Sequence, residues 1–141
     1  MDNRQKTLHG PGIYYFRLTG ARQQAIFRSV FEYDYAAKLL SNVEGSTLLA
    51  YVFFDHEIHC VLDCQRDWPG IIDDIRDEFT DQHERLWEAH KAVISEEVSP
   101  VLVDEQACLA DLIITLHQLP VSRNLVPDAS MYSWSSDHHY R

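Results

Sequence analysis

Two apolar runs, TLLAYVFF at residues 47–54 and EIHCVLD at residues 57–63, are separated only by Asp55 and His56. Both runs are rich in β-branched and aromatic residues, and a gap of two residues between such runs predicts a tight antiparallel hairpin. In a strand, residues i and i+2 point to the same face, so Glu57 and His59 are placed to grip one cation together.

The remaining elements follow from periodicity. IYYFRL at residues 13–18 predicts a strand that stops at a Thr19-Gly20 turn. Val30, Phe31, Tyr35, Leu39 and Leu40 recur at helical spacing, which predicts a helix over residues 29–41. After Trp68-Pro69-Gly70, a long amphipathic helix is predicted over residues 71–94, with Ile71, Ile75, Phe79, His83 and Leu86 on one face. Its acidic residues Asp73, Asp74, Asp77, Glu78, Asp81, Glu84 and Glu88 fall mostly on the other face, the pattern of a solvated surface. Pro100 breaks that region, Val101 to Val103 predicts a short strand, and residues 104–119 predict a helix stopped by Pro120. The expectation is one α+β domain over residues 1–141, an antiparallel sheet with helices packed on it in a ferredoxin-like arrangement. Residues 1–11 are expected to be flexible and residues 127–141 mostly loop.

Charge and composition narrow the function classes. A net charge of −10 opposes non-specific affinity for a polyanion, so any basic surface must be local. No apolar stretch reaches the length of a membrane span, and the polar start lacks the layout of a signal peptide, which predicts a cytoplasmic location with no membrane contact. Three cysteines, Cys60, Cys64 and Cys108, fit reduced thiols. Zinc is disfavoured at His56, His59, Cys60 and Cys64, because His59 and Cys60 face opposite sides of a strand and no second ligand pair stands nearby. A Ser-His hydrolase at Ser135 or Ser136 is disfavoured, since no glycine-rich elbow or oriented base accompanies them. His83, His90, His138 and His139 are read as packed or solvated, and Tyr14, Tyr15 and Phe16 as core rather than base-stacking residues.

Three blocks together resemble the REP-associated tyrosine transposases, single-tyrosine enzymes of the HUH endonuclease superfamily. GIYYFRLTGARQQAIF from Gly12 to Phe27 is similar to that family's opening strand, Arg-Gly turn and Arg-x-x-Ile-Phe entry to the first helix. AYVFFDHEIHCVL from Ala50 to Leu62 resembles the hairpin bearing the paired histidines, and LPVSRNLVPDASMYSWSS from Leu119 to Ser136 resembles the family's ending. The resemblance implies the HUH transposase fold and chemistry on single-stranded DNA beside hairpin-forming repeats. In that chemistry two histidines hold a divalent metal, and a tyrosine forms a covalent 5′-phosphotyrosine.

Carried onto this chain, the paired histidines fall on Glu57 and His59, a pair still able to take Mg²⁺ or Mn²⁺. The tyrosine falls on Glu97 or Val98, neither of which can attack a phosphate in that way. The Arg of the Arg-Gly turn is Thr19, and the Arg after Pro-Val is Ser122, with Arg22 retained and Arg123 next door. The resemblance therefore implies a transposase-like protein that binds single-stranded or hairpin DNA through Arg17, Arg22 and Arg28 and does not transfer strands. A protein-interaction module, as a homodimer or with a basic partner on the acidic helix, and a residual metal-dependent nuclease are the alternatives.

Overall fold

The computed structural model describes residues 10–87 and 92–140. The expectations for residues 1–9, for the side chain of Leu86, and for Glu88 and His90 lie outside the described residues. The elements run β1 (Gly12–Thr19), α1 (Val30–Ser41), β2 (Ser46–Phe54), β3 (Glu57–Cys64), α2 (Trp68–Trp87), β4 (Val101–Val103) and α3 (Gln106–Ser122). The four strands form one antiparallel sheet in the order β2-β3-β1-β4, the α+β architecture expected from the pattern of runs.

Phe54 pairs with Glu57, so Asp55 and His56 alone make the hairpin turn. Strand alternation then divides the side chains between two layers. Tyr14, Phe16 and Leu18 of β1, Tyr51 and Phe53 of β2, and Ile58, Cys60 and Leu62 of β3 pack with Tyr33, Ala36 and Leu40 of α1 and Ile71, Ile75 and Phe79 of α2. On the other face Ala50, Val52, Phe54 and Val61 pack with Leu109, Leu112, Ile113, Leu116 and Leu119 of α3. Helices thus cover both faces, and the acidic residues of α2 from Asp73 to Glu84 are exposed. His83 is buried on the core side, and free Cys60 and Cys64 are buried there too.

Local chemistry sets the element ends. At α1, Glu32 accepts the backbone N–H groups of Arg28 and Ser29 at 2.6 and 2.8 Å, one half of a capping box that leaves this carboxylate buried. Gly20 makes the turn after β1 possible, because an added Cβ would stand 1.7 Å from the Gln24 carbonyl oxygen.

Two boundaries differ from the sequence expectation. The helix predicted to reach Ile94 has already given way by residue 92: Ala21 N–H donates to the Val93 carbonyl, Ser95 N–H to that of Thr19, and Gly20 bridges Ile94. Val93 and Ile94 are β-branched and bury themselves beside the end of β1, where an extended backbone extends the sheet's hydrogen bonding. Arg76 secures that return by donating to the carbonyls of Ser95 and Glu96 at 3.1 and 2.7 Å. The second difference is Pro120, which lies inside α3 rather than stopping it. It removes one helical N–H, but Arg123 N–H still reaches Leu119 O at 2.9 Å and Leu125 N–H reaches Pro120 O at 2.9 Å. Asn124, in the left-handed region at φ 61°, ends the helix instead.

The C-terminal segment contains two 3₁₀ turns, Ala129–Met131 and Ser136–Tyr140, and lies along the outer edge of β2. Phe53 N–H donates to Trp134 O at 2.8 Å, Val52 bridges Ser135, and the Tyr132 hydroxyl donates to Phe53 O at 2.5 Å. An edge strand that would otherwise offer open backbone groups is covered. Ser136 completes the contact: its Oγ accepts the Tyr51 N–H at 2.8 Å and lies 2.8 Å from His117 Nε2, while His117 Nδ1 is 3.7 Å from Asp137 Oδ1. These are the residue types of a hydrolytic triad, with an oriented base that the sequence did not reveal. The Ser136 side chain is nevertheless buried and already bonded to the Tyr51 backbone, so the group docks the C-terminal segment onto β2.

Candidate nucleic-acid interface

The α3 side of the sheet carries a polar cluster at its hairpin end. Alternation along β3 puts Glu57 and His59 on this face, and the β1 register sets Arg17 opposite His59 and Thr19 opposite Glu57. Tyr15, two residues before Arg17, shares the face. The continuation of α3 past Pro120 to Ser122 brings in Arg123, its C-cap residue, from 66 residues away in sequence.

Two guanidiniums converge on Glu57. Arg17 Nε and Nη2 both stand 2.6 Å from Oε1, and Arg123 Nη1 donates to Oε2 at 2.5 Å. The Arg123 guanidinium also lies 4.2 Å from the centre of the Phe54 ring, a cation–π contact that restricts its orientation. Tyr132 packs on the same ring from the C-terminal segment. Burial alone would raise the Glu57 pKa, but the hydrogen bonds from Arg123 and Arg17 overcome it and hold the carboxyl at about 2.

His59 is 3% exposed and stacks on Tyr15. The Tyr15 hydroxyl lies 2.6 Å from His59 Nδ1, while Nε2 faces Glu57 Oε1 at 3.5 Å and has no hydrogen-bond partner. Burial pushes the imidazole down to about 4, against the upward pull of Glu57, so the ring is neutral at pH 7. Tyr15 then donates to Nδ1 and the Nε2–H points at the carboxylate, since the other tautomer would set a lone pair against a negative charge. Burial also raises the Tyr15 pKa, with Arg17 only partly opposing it.

This histidine has a measurable consequence. The unfolded chain takes up a proton near the ordinary histidine value of 6.5, whereas folded His59 resists until about 4. Between those values the unfolded state holds more protons, so stability rises with pH. His83, also lowered by burial, adds to the same slope. Urea midpoints are therefore expected to fall as pH drops from about 6.5 towards 4, and His59→Phe should flatten that dependence. An unchanged slope in the variant would contradict a buried neutral His59.

The residues expected from the sequence divide unequally. Glu57 and His59 do come together, and Arg17 joins them. Arg22 is exposed in the turn after β1, with φ 54°, and reaches the Ala92 carbonyl at 3.4 Å. Arg28 stands towards His83, whose pKa it lowers, and so belongs to the α2 side of the sheet. Arg123 and Tyr15 are the members that sequence reasoning left out of the site. Their only signals were the position of Arg123 beside the family's Pro-Val-Arg and the two-residue spacing of Tyr15 from Arg17. Glu97 is exposed and Val98 packs against the core shared with α1 and α2, on the face away from His59.

The pair Glu57 and His59 fits a divalent cation poorly as built. A cation would have two protein ligands and would have to displace two guanidiniums from the carboxylate. Among the described residues no group of three His, Cys, Asp or Glu side chains is placed to hold a metal. No described helix is long and apolar enough to cross a membrane.

With this geometry in place, comparison with solved structures decides the fold. It is shared with a REP-associated tyrosine transposase. That protein, solved bound to a REP hairpin, superposes with a TM-score of 0.74 over 92% of this chain and 79% of its own, at 13% sequence identity. No protein-family model and no curated protein matches the sequence. The likeness is one of architecture, and the chemistry has to be argued from the residues in place.

Proposed function

We propose that this chain binds single-stranded or hairpin DNA at the hairpin end of its sheet and does not carry out strand transfer. The observation that supports it best is the Arg17–Arg123 pair, which two separate elements of a transposase fold bring to the strand where the family keeps its metal histidines. These side chains are 57% and 37% exposed, so their donors are within reach of a backbone phosphate despite the chain's overall negative charge.

Strand transfer is opposed on chemical grounds. Among the described residues the tyrosine hydroxyl bonded to His59 is that of Tyr15, which donates a hydrogen bond to Nδ1 and keeps its proton because burial raises its pKa. A poor nucleophile without a well-held metal has little to lower the barrier of phosphoryl transfer. The nuclease alternative needs Mg²⁺ or Mn²⁺ at Glu57 and His59, where the guanidiniums compete, and the protein-interaction alternative has only the exposed acidic face of α2 in its favour.

The test is a labelled hairpin oligonucleotide incubated with the protein and Mn²⁺, then run with and without denaturant. The expected result is a retarded complex that dissolves in SDS and leaves the strand intact. An SDS-resistant adduct that disappears in Tyr15→Phe would overturn the inactive reading.

A further inference from the structure

We infer that Arg17, Arg123 and the Nε2–H of His59 form a site for one phosphate group, which the Glu57 carboxylate occupies as an internal competitor in the free protein. The inference rests on the DNA-binding reading for its preferred source of phosphate, a strand backbone, and on geometry for the rest.

Three donors surround this spot and the carboxylate satisfies two of them. The guanidiniums are well matched to Glu57, whereas His59 Nε2 is left at 3.5 Å from its Oε1, buried and without a well-formed hydrogen bond. A buried donor with only this long contact is poorly satisfied, so a ligand that reached it at hydrogen-bond distance would bind with advantage. A carboxylate is planar and has two oxygens. A phosphate is tetrahedral and larger, so it can meet guanidiniums on two oxygens and still turn another towards the imidazole. His59 suits an anion as a neutral donor, and a neutral donor is what its burial enforces.

Position also favours exchange. Glu57 is the first residue of β3, directly after the Asp55-His56 turn, and the cluster opens to solvent on the arginine side. Rotation of one glutamate side chain to another staggered conformer is enough to vacate the site, with no change in strand pairing. Arg123 would stay in place, held by Phe54. Loss of the carboxylate leaves two positive charges and one neutral donor directed at the same spot.

The experiment compares Glu57→Gln and Glu57→Ala with the native chain in titrations of a labelled DNA hairpin and, separately, of inorganic phosphate. Asp74→Asn is the control, because it removes the same charge from another arginine pair, Asp74 with Arg66 at 2.5 Å. Both Glu57 variants are expected to bind the hairpin about tenfold more tightly, the equivalent of one charge-assisted hydrogen bond, while Asp74→Asn stays within about twofold. The two Glu57 variants guard against a folding defect in either one. Hairpin binding that is no tighter in the Glu57 variants than in Asp74→Asn would overturn the internal competitor and leave the DNA reading standing. Phosphate binding by Glu57→Gln without hairpin binding by any version would support the site with free phosphate as its source and overturn the DNA reading. No binding of either ligand by any version would overturn both.

Discussion

Phe16→Ala is expected to lower the free energy of unfolding by about 3–5 kcal/mol, a large part of the stability a domain of this size holds. Phe16 is fully buried on β1, the strand paired with both β3 and β4, and its ring meets Trp68 at 5.6 Å and Tyr14 at 5.9 Å. Truncation leaves a ring-sized void between the sheet and the start of α2, in a layer where neighbouring side chains cannot collapse without moving a central strand. Urea denaturation measures the change directly, and a loss below about 1 kcal/mol would mean that this layer is looser than its burial indicates. The consequence reaches the site, because Tyr15 and Arg17 are the residues on either side of Phe16 and face the opposite layer.

The second large effect is on ligand binding. Arg17→Glu combined with Arg123→Glu should weaken hairpin DNA binding on the order of 100-fold at low salt and reduce the salt slope by about one, for the one phosphate no longer neutralised. Arg66→Glu, a reversal of the same charge beside Asp74, should cost far less, because that pair sits at the start of α2 away from the cluster. Equal losses in the two cases would reduce the interaction to overall charge and remove the case for a defined interface. Circular dichroism accompanies the measurement, since the double variant strips Glu57 of both of its arginines.

The features legible in the sequence are those decided locally. The two-residue gap at Asp55-His56 specified the hairpin, and the 3.6-residue spacing in α2 specified which side faces the sheet, including His83; in α1 it specified the helix but not its buried side, since Val30 and Phe31 are 54% and 80% exposed while Tyr33, Ala36 and Leu40 pack on the sheet. Places where the reading failed were decided by distant contacts. Val93 and Ile94 continue a helical pattern but gain more by lying against the end of β1, and Pro120 is tolerated two residues before the helix end, where the backbone bonds of Arg123 and Leu125 still form around it. The cluster itself depends on register: nothing local sets Arg17 opposite His59, brings Tyr15 Oη to an imidazole 44 residues away, or aims Arg123 at Glu57. Arg22 and Arg28 are close to Arg17 in sequence, yet the turn after β1 sends them to other parts of the surface.

We propose that the fold shared with a transposase serves here to hold DNA, through a small cationic cluster on a chain that is otherwise acidic. A titration of the native protein against a labelled DNA hairpin over a series of salt concentrations tests it most directly. The expected result is saturable binding at low salt that weakens linearly on a log–log plot as salt rises, with an unpaired strand of scrambled sequence bound less tightly. Absence of binding at the lowest salt, or affinity indifferent to salt, would contradict it.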